Sequence, residues 1–202
     1  MYKGIVFDLD GTIVDSRLNF KTIRKQLGIP EGEWILEYLD TLPSIDKTSK
    51  LVDLEQIELS AAKDAILFSG VFELVKELQI RNIKLGIFTR NCALVTRFLL
   101  QKYKLNFDMI VTREDPPPKP NPAGLKKILT HWGLNNHELL FVGDTQSDIE
   151  CGKSAGVKTC LFTNGTKTIE GHQPDNVIPD HVISKYSQWI VGPTIGPLLD
   201  SR

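Results

Sequence analysis

Short apolar runs alternate along the chain with amphipathic stretches. Ile5-Val6-Phe7, Leu85-Gly86-Ile87-Phe88, Met109-Ile110-Val111, Leu139-Leu140-Phe141-Val142 and Cys160-Leu161-Phe162 are near-continuous in apolar residues, the pattern of strands buried on both faces. Between them Val71, Leu74, Val75 and Leu78 recur at helical spacing, as do Leu125, Ile128, Leu129 and Trp132, and a third helix runs through Leu94, Val95, Phe98 and Leu99. Strand–helix alternation of this kind implies right-handed βαβ units and a sheet covered on both sides. The expectation is an α/β domain with a doubly wound, Rossmann-like parallel sheet.

The alternation breaks once. From Asp15 to Ser69 no strand-like run is visible. Phe20, Ile23 and Leu27, then Ile35, Tyr38, Leu39 and Leu42, then a longer stretch from Leu51 to Leu67 read as helices, with Pro30 and Pro43 as breakers. This predicts a small all-helical cap at 15–69 inserted into a core formed by 1–14 and 70–202. Trp34 and Tyr38 read as cap core, and the segment after Val191, with Gly192, Pro193, Gly196 and Pro197, as loop.

The 202 residues suit one domain carrying an insertion. Lys and Arg number 24 against 25 Asp and Glu, so no strong basic field favours nucleic acid or an anionic membrane surface. Cys92, Cys151 and Cys160 form no C-x-x-C and are too few for a disulfide framework. A reducing, cytoplasmic setting fits them. The first residues show no signal-peptide pattern, and no apolar run is long enough to span a bilayer.

Ligands of open α/β sheets bind beyond the carboxyl ends of the strands, so the polar residues ending the apolar runs are the candidates. The first run ends in Asp8-Leu9-Asp10-Gly11-Thr12, the second in Thr89-Arg90-Asn91, and the fourth in Gly143-Asp144 followed by Ser147-Asp148; Lys119 lies in a proline-rich loop after the third. So many carboxylates cannot converge without a counter-charge. Hard oxygen ligands suit Mg²⁺, with Lys119 completing the balance. Asp8 and Asp10 are two apart, and Gly11 permits a sharp turn after them. One can attack while the other transfers a proton, and an aspartyl-phosphate divides one hard hydrolysis into two easier steps. Thr89, the backbone N–H groups of Arg90 and Asn91, and Lys119 are donor types that a phosphate requires.

Asp8-Leu9-Asp10-Gly11-Thr12, Thr89, Lys119-Pro120 and Gly143-Asp144-Thr145-x-x-Asp148, in that order, resemble the four motifs of the haloacid dehalogenase (HAD) superfamily. The stretch from Gly143 to Gly156 and Asp180-His181-Val182-Ile183 resemble its phosphoglycolate-phosphatase-like branch. The resemblance implies a Mg²⁺-dependent phosphatase of a small phosphorylated metabolite. Asp8 would be nucleophile and metal ligand, and Asp10 general acid/base with its carbonyl on the metal. Asp144 would be a further metal ligand, Thr89 and Lys119 phosphate binders, and Asp148 the partner of metal-bound water or of Lys119. Dehalogenases lack the second carboxylate, so Asp10 argues against that activity.

Other readings carry less. Gly152-Lys153-Ser154-Ala155-Gly156 matches G-x-S-x-G, with Asp175 and His181 following, but a helix precedes Ser154 where a hydrolase elbow needs a strand. Lys21, Arg24 and Lys25 form a solvated helix face, whereas Arg17, close to the first motif, is a candidate contact for an anionic substrate. Cys92 reads as an inert small hydrophobe. A phosphomutase of the same fold is the alternative enzyme, weakened by the absence of His before His131. A non-catalytic binding protein is the other alternative. The expected assembly is a monomer or homodimer.

Overall fold

Side-chain alternation along each strand divides the core between the two faces of one sheet. In β1 (Gly4–Phe7) Ile5 and Phe7 join one hydrophobic cluster and Val6 the other. The computed structural model describes residues 2–115, 117–165 and 177–191. It contains β2 (Val14–Asp15), β3 (Ile66–Leu67), β4 (Lys84–Phe88), β5 (Met109–Val111), β6 (Leu139–Gly143), β7 (Lys158–Phe162) and β8 (His181–Ile183). Six strands form one parallel sheet in the order β5-β4-β1-β6-β7-β8. With β1 central and both faces covered, unbroken apolar runs are what the strands must present.

Helices α4 (Val71–Ile80) and α5 (Ala93–Lys102) cover the face that buries Phe7, Ile87 and Val142. Helices α6 (Ala123–Trp132) and α7 (Gln146–Ala155) cover the face that buries Val6, Phe88 and Phe141. Each fully buried aliphatic or aromatic side chain contributes about 1.5–3 kcal/mol, so these two clusters hold the sheet. Helix α8 (Ser187–Val191) places Trp189 in the first cluster beside the fully buried Tyr186.

Between β2 and β3 lie α1 (Phe20–Leu27), α2 (Ile35–Asp40) and α3 (Ser44–Asp64), packed on a cluster of their own around Ile23, Leu27, Ile29, Leu39 and Leu54. Asn19 caps α1 by accepting from the Thr22 N–H, and Gly28 ends it in the left-handed region. The carboxyl end of α3 is tied to α5. Lys102 Nζ donates to the carbonyls of Ala62, Lys63 and Ala65, and Tyr103 Oη donates to that of Ala65. These contacts meet carbonyls that a helix end leaves without an internal partner.

Several expectations need correction. α3 begins at Ser44 and ends at Asp64, not at Leu51 and Leu67. The segment is not free of strand, because β2 and β3 pair antiparallel where the chain leaves and re-enters the sheet domain. A two-residue pairing is too short to register as periodicity. Trp34 is 56% exposed, not cap core, and Leu94 is half exposed on α5. β8 is an edge strand with only Ile183 buried, so it never reads as an apolar run. The segment after Val191, Asp175 and Pro116 lie outside the described residues.

Candidate active site

The sheet delivers the candidate residues to one place because its order reverses about β1. The chain runs outward from β1 through β4 to β5, then crosses back to β6 on the other side. A crevice therefore opens at the carboxyl ends of β1, β4 and β6. Asp8 follows β1, its N–H donating to the Val142 carbonyl at 2.8 Å, and Thr89 follows β4, its N–H donating to that of Val111 at 3.0 Å. Asp144 follows the last residue of β6. Gly11 turns the first motif back at φ 83°, where a Cβ would lie 2.2 Å from Asp144 Oδ2, so only glycine fits. Tyr186 Oη donates to the Thr12 carbonyl at 2.8 Å and anchors the turn from the far end of the chain.

Lys119 is the electrostatic centre. Its ammonium lies 2.7 Å from Asp8 Oδ1 and 2.6 Å from Asp148 Oδ1, with 3% of the side chain exposed, and stands over the neighbouring rings of Phe88 and Phe141. Burial acts to lower its pKa, but the Asp148 and Asp8 carboxylates outweigh burial and hold the ammonium above its usual range. Burial pushes Asp8 up to about 6, with Lys119 pulling down and Asp148 pushing up. Asp144 is pushed well above the carboxylate range by burial and by the charges of Asp148 and Asp8. One cation thus serves three carboxylates.

That imbalance tests whether a divalent cation fits. Carboxylate oxygens of Asp8, Asp144 and Asp148 all lie within 4.8 Å of one another, a hard oxygen set of the kind Mg²⁺ takes. Asp148 is largely committed: Oδ1 accepts from Lys119, and Oδ2 accepts from the Thr145 N–H at 3.0 Å and its hydroxyl at 2.6 Å. Asp144 Oδ1 accepts from Thr12 Oγ1 at 3.0 Å. Asp8 and Asp144 are therefore the side chains better able to hold a cation, and Asp148 the one that holds Lys119. The donor set and its excess of negative charge fit the ion.

Asp10 stands apart from this cluster. Its Oδ1 accepts from the Ser16 N–H at 3.0 Å, and burial raises its pKa while the Ser16 hydrogen bonding opposes the rise. Thr89 is buried and its Oγ1 accepts from the Asn91 N–H at 3.1 Å. The Arg90 side chain donates from Nη1 to the Lys119 carbonyl and from Nη2 to Glu37 Oε2, each at 2.5 Å. Arg17 is mostly exposed and pairs with Asp15 at 4.0 Å. The structure gathers Asp8, Lys119, Asp144 and Asp148, puts Asp10 and Thr89 on adjoining strand ends, and turns Arg17 to the surface.

Sequence reasoning missed several supporting residues. Thr12 and Thr145 hold Asp144 and Asp148, and the second was visible as a capping box, Thr145-x-x-Asp148, opening α7. Glu58 on α3 pairs bidentately with Arg113, at 2.9 and 3.0 Å, with 7% and 9% of their side chains exposed. Nothing in their spacing announces a partner 55 residues away. Cys92 is more than a filler: its Sγ caps α5 by accepting from the Val95 N–H, with the thiol pushed up to about 11 by burial. Gly152 to Ala155 lie inside α7, which removes the strand–turn–helix setting a nucleophilic Ser154 needs.

A parallel, Rossmann-like α/β sheet gathers three carboxylates and one buried lysine at its switch point. The family model for haloacid dehalogenase-like hydrolases matches residues 5–162, and the chain belongs to that family. It is 31% identical over 192 residues to a haloacid dehalogenase-like hydrolase domain-containing protein of Arabidopsis thaliana, covering 86% of this chain and 78% of that one. It is 30% identical over 197 residues to pyrophosphatase PpaX of Halalkalibacterium halodurans, covering 86% and 91%. Among solved structures, a haloacid dehalogenase-like hydrolase from Bacteroides fragilis matches with a TM-score of 0.77 at 22% identity, covering 93% of this chain and 99% of that one. That likeness concerns the fold.

Proposed function

We propose that the protein is a Mg²⁺-dependent phosphoric monoester hydrolase that acts on a small phosphorylated metabolite through an aspartyl-phosphate on Asp8. The observation that carries this reading is the excess of carboxylate around Lys119 at the sheet's switch point. Relatives named pyrophosphatase PpaX support a phosphate-bearing substrate. Asp8 and Asp144, with the Asp10 carbonyl, would hold Mg²⁺, which would supply charge neutralisation there.

The protein's own residues then do the following. Lys119 and Thr89, with the N–H group of Arg90, bind the phosphate oxygens, while the Asn91 N–H orients the Thr89 hydroxyl. The Asp8 carboxylate attacks phosphorus, and the ester bond to the leaving oxygen breaks. Asp10, whose burial favours the protonated form, gives its proton to that oxygen. It then takes a proton from the water that attacks the phosphoryl group, freeing inorganic phosphate and restoring Asp8. The helical unit at 15–69 acts as a cap that selects the leaving group. The three cysteines are free, which supports a cytoplasmic setting; no described helix is long and apolar enough to cross a membrane.

Turnover of a generic aryl phosphate tests the reading. Activity should vanish in excess EDTA, return with Mg²⁺, and return poorly with Ca²⁺, whose larger and looser shell misplaces the nucleophile. Full activity in excess chelator contradicts it. A panel of phosphorylated metabolites then defines the leaving group.

A further inference from the structure

The side chain of Arg90 makes contacts that a phosphate ligand would not. It follows Thr89 directly, and both its terminal nitrogens are engaged, one donating to the Lys119 backbone carbonyl and one to Glu37 on α2. Its guanidinium carbon also lies 5.1 Å from the centroid of the Trp34 ring, within reach of a cation–π contact. With 22% of the side chain exposed, it spans three separate segments: the Thr89 strand end, the Lys119 loop, and the segment 34–37 that opens α2. A surface pair of this exposure is worth little as a tether alone. Its place on the backbone of the buried lysine gives it a different consequence.

We infer that Arg90 is a positioning residue coupling the phosphate site to the Trp34–Glu37 segment of the helical unit. The inference rests on the phosphate-site reading above. One face of the planar fork fixes the carbonyl of Lys119, so it constrains where the ammonium meets Asp8. The other fork nitrogen and the stacked ring fix the beginning of α2. Movement of the Lys119 loop when phosphate binds is therefore passed to Trp34, and displacement of Trp34 by a leaving group is passed back to Lys119. A lysine at this position has one compact ammonium and cannot hold both acceptors and the ring at once.

Trp34 reports the coupling without turnover. Its emission is isolated as the difference between the wild-type protein and Trp34→Phe, since Trp132 and Trp189 lie in other clusters. In the presence of Mg²⁺, orthophosphate should shift Trp34 emission in the wild type. In Arg90→Lys and Arg90→Ala, calorimetry should still detect phosphate binding but the shift should be lost, and Glu37→Gln should reduce it. On an aryl phosphate, Arg90→Ala should lower kcat by about 10-fold to 10²-fold, the scale of a slightly misplaced catalytic group, with KM moving less. Arg90→Lys should rescue little. A full Trp34 response in the arginine variants, or none in a wild type that binds phosphate, overturns the coupling while leaving the phosphatase reading intact. Failure of the wild type to bind phosphate at all overturns both.

Discussion

Two buried clusters in this molecule set lysine or arginine against carboxylates, and they differ in stoichiometry. Glu58 and Arg113 form a closed pair in which both carboxylate oxygens meet both terminal guanidinium nitrogens. It joins α3 to the loop after β5. Around Lys119, one ammonium is shared by Asp8 and Asp148 with Asp144 close by. Burial raises carboxyl pKa values in both places, yet only the second retains uncompensated negative charge. The difference teaches that burial alone does not leave charge for a ligand to balance. An unbalanced count, placed where strands end, does.

The comparison breaks most visibly at Lys119. Lys119→Ala should lower kcat by several orders of magnitude, because repulsion between phosphate and Asp8 is then unopposed, and Lys119→Arg should recover little since a planar fork does not replace a compact ammonium. Steady-state kinetics on an aryl phosphate measure this. Near-normal rates in the alanine variant would remove Lys119 from the chemistry and make the two clusters alike.

The closed pair should respond in stability instead. Arg113→Ala leaves Glu58 buried without its partner, a change that typically costs about 3–5 kcal/mol, whereas Glu58→Leu combined with Arg113→Met should be close to neutral. Denaturant titration separates the two. The pair also gives pH dependence with a definite sign. Burial pushes Glu58 from 4.5 up to about 7, Arg113 pulling down and Asp10 pushing up, so the folded state holds a proton that the unfolded chain has released. Stability from this group is present below its unfolded pKa and is lost as pH rises toward and through about 7. Glu58→Gln should flatten that part of the profile of Tm against pH; an unchanged slope would show that Glu58 is not its source.

The smallest effect is expected at Arg17. Its side chain is 69% exposed and pairs loosely with Asp15, and exposed pairs contribute about 0–1 kcal/mol. Arg17→Ala should therefore change KM for a carboxylate-bearing phosphate ester by less than about fivefold. A selective rise well beyond that would return Arg17 to the substrate.

Much of this was legible in the chain. Strands buried on both faces are written as apolar runs, and their polar ends name Asp8, Thr89, Asp144 and, by loop, Lys119 without any coordinates. What resisted reading depends on distance in sequence or on brevity. Glu58 and Arg113 are ordinary charged residues until the fold brings them together. Trp34 reads as core by size but stands over Arg90 at the surface. The β2–β3 pairing is two residues long, and Tyr186 reaches the Thr12 carbonyl from 174 residues away. Local period and local turn chemistry carry no information about such partners.

The nucleophile is the point on which everything else depends. Asp10→Asn should slow breakdown of the intermediate, since removing an acid/base group typically costs about 10² to 10⁴-fold. Acid quench of that variant with substrate and Mg²⁺, followed by peptide mass mapping, should find phosphate on the peptide carrying Asp8 and nowhere else, with no adduct and no turnover in Asp8→Asn. Phosphate on Ser154 or on a histidine, or turnover that survives Asp8→Asn, would contradict the assignment.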